Sequence, residues 1–289
     1  MRIGIHTSIA GSLEKAALKA GELGANTFQI FTSSPRMWRS RMPGDLEVRM
    51  LRRAREHWDL APLVVHDSYL INLAACEEEI RRRSVEAFRD EIRRCLAIGA
   101  EYLVAHPGSC KGQTAEQAIA NLAEAAAAAA KGIQGRGLTL LWENTAGAGN
   151  ALGGRFDELA EIAARTQALV DFPVGYCLDT CHCLASGYDV ATAKGLAATV
   201  RKARETLGLH NIKVIHANDS KGKLGSRLDR HANIGEGHIG EEGFRRILTH
   251  PDLKTKPFIL ETPVDHEGDD LRNVEALKRL CRKSRTITK

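Results

Sequence analysis

The sequence predicts an α/β fold, a single (β/α)8 TIM barrel with an active site at its C-terminal rim. Short apolar runs alternate with amphipathic or alanine-rich segments along the whole chain of 289 residues. The runs are almost continuously apolar, as strands buried on both faces are. There are eight of them, the number of parallel strands that closes a barrel. No proline- or serine-rich linker divides the chain, so residues 1–289 are predicted to form one catalytic domain.

The individual elements follow from this alternation. The predicted strands are residues 2–6, 27–31, 63–66, 102–106, 138–143, 174–179, 212–216 and 258–261. The clearest helical segments are residues 12–23, 77–98, 115–131, 156–165 and 189–207. A doubly wound open sheet is the competing fold. It normally has a glycine-rich phosphate-binding turn after its first strand, and no GxGxxG motif stands there in this chain.

Composition excludes several classes of protein. No stretch reaches the ~18 apolar residues that a transmembrane helix needs, and the N-terminal MRIGIHTS is interpreted as a strand rather than a secretory leader. Seven cysteines at irregular spacing indicate the reduced thiols of a cytoplasmic protein. Cys177, Cys181 and Cys183 are interpreted as core or loop thiols rather than a rival metal site. The net charge of +5 permits a polyanionic partner without requiring one.

Histidine, aspartate or glutamate ends each of six successive predicted strands. These residues are 36 to 45 positions apart, about one β/α unit, and they are His66, His106, Glu143, Asp179, His216 and Glu261. In a barrel such strand ends meet at the C-terminal rim, where active sites are built. The loops after the sixth and seventh strands add His182, Asp229 and His231. One histidine in such a place is usually a packed rim residue, but nine converging side chains indicate a shared ligand.

That ligand is predicted to be a cluster of divalent metal ions. Burying four carboxylates together without cations would be very costly in free energy. Imidazole and carboxylate ligands suit zinc or manganese, and nine of them exceed the needs of one tetrahedral ion. The pattern fits two or three ions, an arrangement typical of phosphoester hydrolysis.

Several short segments identify a family. They are GIHTSIAGS near the N-terminus, PRMW (35–38), HDSYLIN (66–72), HPGS (106–109), ENTAG (143–147), CLDTCH (177–182), HANDSK (216–221), DRHANIGEGHIG (229–240) and ILETP (259–263). In this order they resemble the endonuclease IV family, zinc-dependent apurinic/apyrimidinic (AP) endonucleases built on a TIM barrel. The combination of DTCH, NDSK and DRHANIGEGHIG is highly specific, and the resemblance covers essentially the whole chain.

The resemblance implies three zinc ions, for which Mn²⁺ is a possible substitute. The implied ligands are His66, His106 and Glu143 for one ion, Glu143, Asp179, His216 and Glu261 for a second, and His182, Asp229 and His231 for the third. The implied reaction is hydrolysis of the phosphodiester 5′ to an abasic site, which leaves a 3′-hydroxyl, together with repair of blocked 3′ ends. Glu143, as the bridging ligand, and Glu261, as the group that orients the nucleophile, are the candidate catalytic residues.

The resemblance also implies the partner, which is duplex DNA containing abasic sites or blocked 3′ ends. Flipping out an abasic nucleotide is cheap because no base pair has to be broken. Arg36 and Tyr69 match family positions that enter the DNA stack. Ala148 stands where the family pattern has glutamine, a departure that bears on DNA affinity more than on chemistry. We expect no membrane partner, a cytoplasmic location at the nucleoid if the source is bacterial, and a monomer, because the rim must lie open to a duplex.

Two other functions fit parts of the pattern. A metal-dependent sugar isomerase on a related barrel usually binds two ions through mainly carboxylate ligands and has a catalytic lysine or histidine. The five histidines and the DRH loop count against it. A DNA-binding protein without activity would have lost some of the ligands, and all nine positions are filled.

Overall fold

A closed barrel of eight parallel strands forms the centre of the computed structural model, which describes residues 1–34, 37–135 and 137–282. The barrel strands are β1 (Ile3–His6), β2 (Thr27–Ile30), β3 (Leu63–His66), β4 (Tyr102–Ala105), β5 (Thr139–Glu143), β6 (Val174–Asp179), β7 (Ile212–His216) and β10 (Phe258–Leu260). Each pairs with the next along the chain, and β10 pairs with β1 to close the barrel. Two short strands, β8 (Asp219–Ser220) and β9 (His231–Ala232), form an antiparallel pair outside it.

Helices follow the strands and surround the barrel. They are α1 (Leu13–Glu22), α2 (Asp45–His57), α3 (Glu78–Ile98), α4 (Ala115–Ala130), α5 (Phe156–Gln167), α6 (Thr180–Ser186), α7 (Ala193–Thr206), α8 (Gly240–Thr249) and α9 (Asp269–Leu280). Helix α4 illustrates why such segments are helical. It is rich in alanine, the strongest helix former, and its N-terminus is capped by the hydroxyl of Thr114, which accepts from Gln117 N.

An apolar layer lies inside the barrel directly below the C-terminal rim. It consists of Val64, Val104, Leu141, Cys177, Val214 and Ile259, all fully buried. Each of these residues stands two positions before one of the six residues predicted at the strand ends. Side chains along a strand alternate with a period of two, so a residue and its second neighbour face the same way. The six predicted side chains therefore project from the barrel interior at the top of this layer.

The predicted fold is confirmed, and the barrel strands lie within one residue of the predicted bounds. Helix α7 begins four residues later than predicted, because the Asp189 carboxylate accepts from the backbone N–H groups of Ala191 and Thr192 and holds a turn there. Thr192 then caps the helix. All seven cysteines are free. Along the described ranges, no helix is long and apolar enough to cross a membrane. The single-domain organisation over residues 1–289 stays a prediction.

Candidate metal centre

The structure brings all nine predicted ligand side chains together at the C-terminal rim. Their nitrogen and oxygen atoms form three groups, in each of which the atoms lie within 4.8 Å of one another. The groups are His66, His106 and Glu143; then Glu143, Asp179, His216 and Glu261; then His182, Asp229 and His231. This division coincides with the one that the family resemblance implies.

Glu143 links the first two groups. It is fully buried at the end of β5. Its Oε2 lies 3.1 Å from His66 Nε2 and 3.3 Å from His106 Nε2. Its Oε1 lies 2.9 Å from His216 Nδ1, whose other carboxylate neighbour is Glu261 Oε2 at 3.2 Å. One carboxylate thus presents one oxygen to each group, which is the geometry a bridging ligand requires.

Asp179 lies between the second and third groups. It caps α6 at the end of β6, and its Oδ1 accepts from His182 N at 2.8 Å. Its Oδ2 lies 3.6 Å from His231 Nε2. Asp229 Oδ1 lies 3.2 Å from His182 Nε2 and 3.6 Å from His231 Nε2. The three groups therefore form one continuous polar cluster.

The orientation of the histidines fits metal binding. His182 Nδ1 lies 2.9 Å from the carbonyl oxygen of Asn144, and His231 Nδ1 lies 3.0 Å from that of Glu261. A carbonyl oxygen only accepts, so each Nδ1 is protonated, and in the neutral ring Nε2 is the nitrogen with the free lone pair. Both Nε2 atoms are buried without a hydrogen-bond partner among the described residues, although each faces carboxylate oxygens. A carbonyl behind the ring and an unused nitrogen in front of it are typical of zinc-ligating histidines.

The electrostatics of the cluster require positive charge between the carboxylates. Burial acts to lower the pKa of His66, but Glu143, with Glu261 and Asp67, outweighs it and raises the pKa to about 10. Burial acts to raise the pKa of Glu261, but His216 and the other histidines lower it to about 2. Carboxylates this acidic are ionised at neutral pH, so either protonated imidazoles or cations must balance them.

Two buried asparagines that were not predicted hold the ligands in place. Asn144 Oδ1 accepts from Asp179 N at 2.8 Å. Asn218 Nδ2 donates to Asp179 Oδ2 at 2.6 Å, and Asn218 Oδ1 accepts from Glu261 N at 2.7 Å. Both stand within two residues of a strand-end ligand, in the segments ENT and HAND, so their position was a signal that could have identified them.

Strands β1 and β2 also contribute polar side chains that were not predicted. His6 ends β1 in the same way that the six predicted residues end theirs, and its ring packs against Phe31 at a centroid distance of 4.4 Å. Burial lowers the pKa of His6 to about 4, so the ring is neutral at pH 7. Gln29 lies fully buried in β2 beside it. The rim is therefore polar at all eight strands rather than at six.

Of the two predicted DNA contacts, Arg36 and Tyr69, only Tyr69 lies among the described residues. Tyr69 lies in the loop after β3 with 64% of its surface exposed, at the open side of the rim. Arg36 lies outside the described residues. Ala148 is exposed in the loop after β5.

Cys177 and Cys181 each have a sulfur close to ligand atoms of the cluster, but burial raises the pKa of Cys181 to about 12, which keeps it a neutral thiol.

Comparison with known proteins identifies the family to which the chain belongs. A family model described as "Xylose isomerase-like TIM barrel" matches residues 17–283. The chain is 58% identical over 281 residues to the "Probable endonuclease 4" of Solibacter usitatus, and the match covers 97% of each chain. The chain belongs to the endonuclease IV family. The solved endonuclease IV of Thermus thermophilus is 40% identical, with a TM-score of 0.86 over 98% of this chain and 100% of that one.

Membership of the endonuclease IV family confirms the predicted enzyme class, a metal-dependent AP endonuclease that acts on DNA. A D-tagatose 3-epimerase-like protein has a TM-score of 0.71 over 97% of both chains, but at 22% identity it shares the fold alone. The sugar-converting enzymes are therefore distant relatives that share only the barrel fold, and sugar isomerisation is not a competing function.

Proposed function

We propose that this member of the endonuclease IV family cleaves the phosphodiester 5′ to abasic sites in duplex DNA, leaves a 3′-hydroxyl and repairs blocked 3′ ends, with three zinc ions at the rim. The observation that supports it most strongly is the sharing of carboxylates. Glu143 faces the first and second groups of ligands, and Asp179 faces the second and third. Shared carboxylates are what closely spaced metal ions require, and closely spaced ions are typical of phosphoester hydrolysis.

The residues present fit zinc better than an ion with oxygen ligands alone. Each group contains at least one imidazole nitrogen, and the mixture of imidazole and carboxylate suits zinc, with manganese as a substitute. Bound zinc supplies Lewis acidity, which stabilises the negative charge that develops on a phosphate during displacement. We assign the ions to His66, His106 and Glu143, to Glu143, Asp179, His216 and Glu261, and to His182, Asp229 and His231.

Glu261 has the position of a group that orients the attacking nucleophile. It follows β10 directly, and 20% of its side chain is exposed, whereas that of Glu143 is fully enclosed. Its carboxylate is ionised, so it accepts a hydrogen bond from water and directs a lone pair of the water oxygen away from itself. Glu143 contributes by fixing the distance between the first two groups of ligands.

The DNA partner follows from the exposed part of the rim. Tyr69 is a large aromatic side chain that the fold leaves exposed in the loop after β3, three residues beyond His66. Stacking on an aromatic ring can replace the stacking that a DNA base loses when the neighbouring nucleotide is flipped out. The net charge of +5 is compatible with a polyanion. A monomer, a cytoplasmic location and nucleoid association in a bacterium stay predictions that follow from this substrate.

A nicking assay tests the proposal. A duplex with one chemically stable abasic analogue is incubated with the zinc-loaded protein, with and without a chelator. We expect one cut 5′ to the analogue, a product that a polymerase can extend, and loss of cleavage with the chelator. Absence of cleavage with zinc supplied would overturn the proposal.

Glu261→Gln gives a sharper version of the same assay. The amide keeps the shape of the side chain but is a poorer ligand and no longer accepts hydrogen bonds at both atoms. We expect a folded protein without measurable cleavage. The matched control is Glu267→Gln, which changes an exposed glutamate in the following loop and leaves cleavage intact. A fully active Glu261→Gln variant, or fewer than two metal ions per chain in the wild type, would contradict the assignment.

A further inference from the structure

One buried amide contacts ligands from two different strands of the cluster. Gln29 has no exposed surface and stands in β2, a strand that supplies no ligand of its own. Its Oε1 lies 2.8 Å from His216 Nε2. Its Nε2 lies 2.6 Å from Glu261 Oε1 and 3.1 Å from His6 Nδ1. The oxygen and both N–H groups of the amide are therefore directed at the rim.

The chemistry of these contacts fixes which way the amide is turned. A carboxylate only accepts hydrogen bonds, so the side of Gln29 that faces Glu261 must be the NH2 group. The oxygen then faces His216, and an oxygen can only accept, so His216 Nε2 must be protonated. The second N–H of the amide is directed at His6 Nδ1, which accepts it. Reversing the amide would put oxygen against carboxylate, so only one arrangement satisfies all three contacts.

This arrangement determines the free nitrogen of His216. With a proton on Nε2, the nitrogen of His216 that can give up its proton and bind a metal ion is Nδ1. That atom faces Glu143 Oε1 at 2.9 Å and Glu261 Oε2 at 3.2 Å, inside the second group of ligands. The other tautomer would put a proton where the lone pair is needed. A partner behind a ligating histidine usually sets its tautomer and orientation in this way.

The same amide also orients Glu261. By donating to Oε1, Gln29 holds that oxygen against β2 and leaves Oε2 directed at His216 Nδ1. Gln29 pairs with His6 in the register of β1 and β2, and β1 pairs in turn with β10, the strand that leads to Glu261. This strand register explains how the Gln29 side chain reaches Glu261 on the far side of β1.

We propose that Gln29 is a positioning residue, which fixes the tautomer of His216 and the orientation of Glu261 and so raises the affinity of the second group of ligands for zinc. This inference rests on the proposed metal centre. Gln29 does not touch the reacting atoms. Loss of a contact of this kind typically lowers metal affinity by ~10–100-fold.

Zinc affinity of purified variants, measured by competition with a chromophoric chelator, tests the proposal. Gln29→Met keeps the length and buried volume of the side chain but removes the donors and the acceptor. We expect one ion per chain to be released at least ~10-fold more readily than from the wild type, while the other ions stay bound. A matched control is Gln167→Met, because the amide of Gln167 bonds to the backbone of residues 170–174 at the far end of the barrel.

A second variant keeps the test decisive if Gln29→Met does not fold. Gln29→Glu retains an acceptor for His216 but places a carboxylate against Glu261, so we expect the same loss of one ion. A nitrogen-15 spectrum of the histidine rings adds a readout that packing alone would not change. The spectra are compared for the metal-free proteins, because bound zinc would itself keep the proton on Nε2. In the metal-free wild type His216 is expected to keep a proton on Nε2, and in metal-free Gln29→Met a mixture of tautomers is expected.

The outcomes separate this inference from the proposed function. Unchanged zinc affinity and an unchanged His216 tautomer in either variant, provided that it folds, would overturn the role of Gln29, even if the wild type cleaves abasic DNA. A weakened zinc site in the variants supports the role even if the wild type fails the nicking assay.

Discussion

The ligands of the cluster come from two regions that are held in place in different ways. Six of them stand at the ends of barrel strands, each two positions after a buried residue of the apolar layer. His182 belongs with them, because it stands in α6 directly after β6 and its backbone N–H donates to Asp179. Asp229 and His231 lie instead on the hairpin formed by β8 and β9, in which residues 223–230 are all exposed. The barrel strands position the strand ligands, whereas the hairpin ligands must be held in place by other contacts.

The hairpin pairs β8 with β9, and the segment that follows it is held by one buried carboxylate. Asp219 has no exposed surface, and its oxygens accept from the backbone N–H groups of Ser220, Gly235, Gly237, Ile239 and Gly240 at 2.8 to 3.2 Å. Gly237 has to be glycine, because a Cβ there would lie 2.4 Å from Asp219 Oδ1. The segment that follows the hairpin is thereby wrapped around a single side chain. In the barrel, backbone hydrogen bonds between neighbouring strands position the ligands. In the irregular segment after the hairpin, the carboxylate of Asp219 takes over this role by accepting from several backbone N–H groups.

The largest effect is expected at the residue that joins the strand-borne groups. In Glu143→Gln the side chain keeps its shape, but an amide has only one acceptor oxygen and cannot present an oxygen to both groups. We expect cleavage to fall by more than the ~10–100-fold typical of changes behind a ligand, with loss of more than one zinc ion per chain. The measurements are single-turnover cleavage and metal content.

Glu161→Gln is the control for Glu143→Gln, because Glu161 is a surface residue on α5 that pairs with Arg165. If Glu143→Gln retained its full metal content and wild-type cleavage, the strand-borne groups would not be joined through Glu143. The distinction between a coupled strand region and a separate hairpin region would then be lost.

A smaller and more local effect is expected for Asp219→Ala. The N–H groups around the carboxylate lose their acceptor, and each buried group left unsatisfied costs ~1–3 kcal/mol, so the hairpin and the following segment should loosen. We expect loss of the ion held by Asp229 and His231, retention of the ions at the strand ends, and faster amide hydrogen exchange confined to residues 229–240.

The intermediate variant for this position is Asp219→Asn, which keeps one acceptor oxygen and should lose less. Loss of all ions together in Asp219→Ala, or exchange that is faster throughout the barrel, would show that the two regions are not independently supported. The position of the hairpin would then depend on the whole barrel rather than on one carboxylate.

The contrast between the two regions also explains how much of the site could be predicted from the sequence. His66, His106 and Glu143 could be found because a strand end is visible as the last residue of an apolar run, and all barrels direct such residues to one rim. His6 ends β1 in the same way but was not predicted, because β2 ends in an apolar residue and separates His6 from the six consecutive strands.

Other residues gave no comparable signal. Gln29 stands within an apolar strand and contacts His216, 187 positions away along the chain, and Asp219 contacts backbone groups rather than side chains. These contacts depend on the register of the strands and on the path of the loop, and neither can be predicted from a single sequence. The start of helix α7 was likewise set by a local turn, the one at Asp189.

The smallest effect is expected at Tyr69, which lies beside the strand-borne ligands in the loop after β3. The backbone of that loop is fixed by contacts such as the one from Ile71 N to the carbonyl of Ser68 at 2.9 Å. Removing the exposed ring in Tyr69→Ala should leave both regions of ligands and the metal content unchanged. Loss of one stacking contact costs ~1–3 kcal/mol, so we expect the Kd for abasic duplex to rise by ~5–150-fold, while cleavage at saturating enzyme changes little.

Titration of fluorescent abasic and intact duplexes measures this effect. Tyr69→Phe keeps the ring and should bind abasic duplex as the wild type does, which separates stacking from hydrogen bonding by the hydroxyl. Because stacking at the lesion is used only when a nucleotide is displaced, Tyr69→Ala should weaken binding to abasic duplex more than to intact duplex. Equal weakening for both duplexes would mean that Tyr69 contacts the DNA surface generally, and unchanged affinity for both would remove it from the DNA interface. In either case the discrimination between damaged and intact DNA would have to come from elsewhere on the rim, starting with the two metal-binding regions.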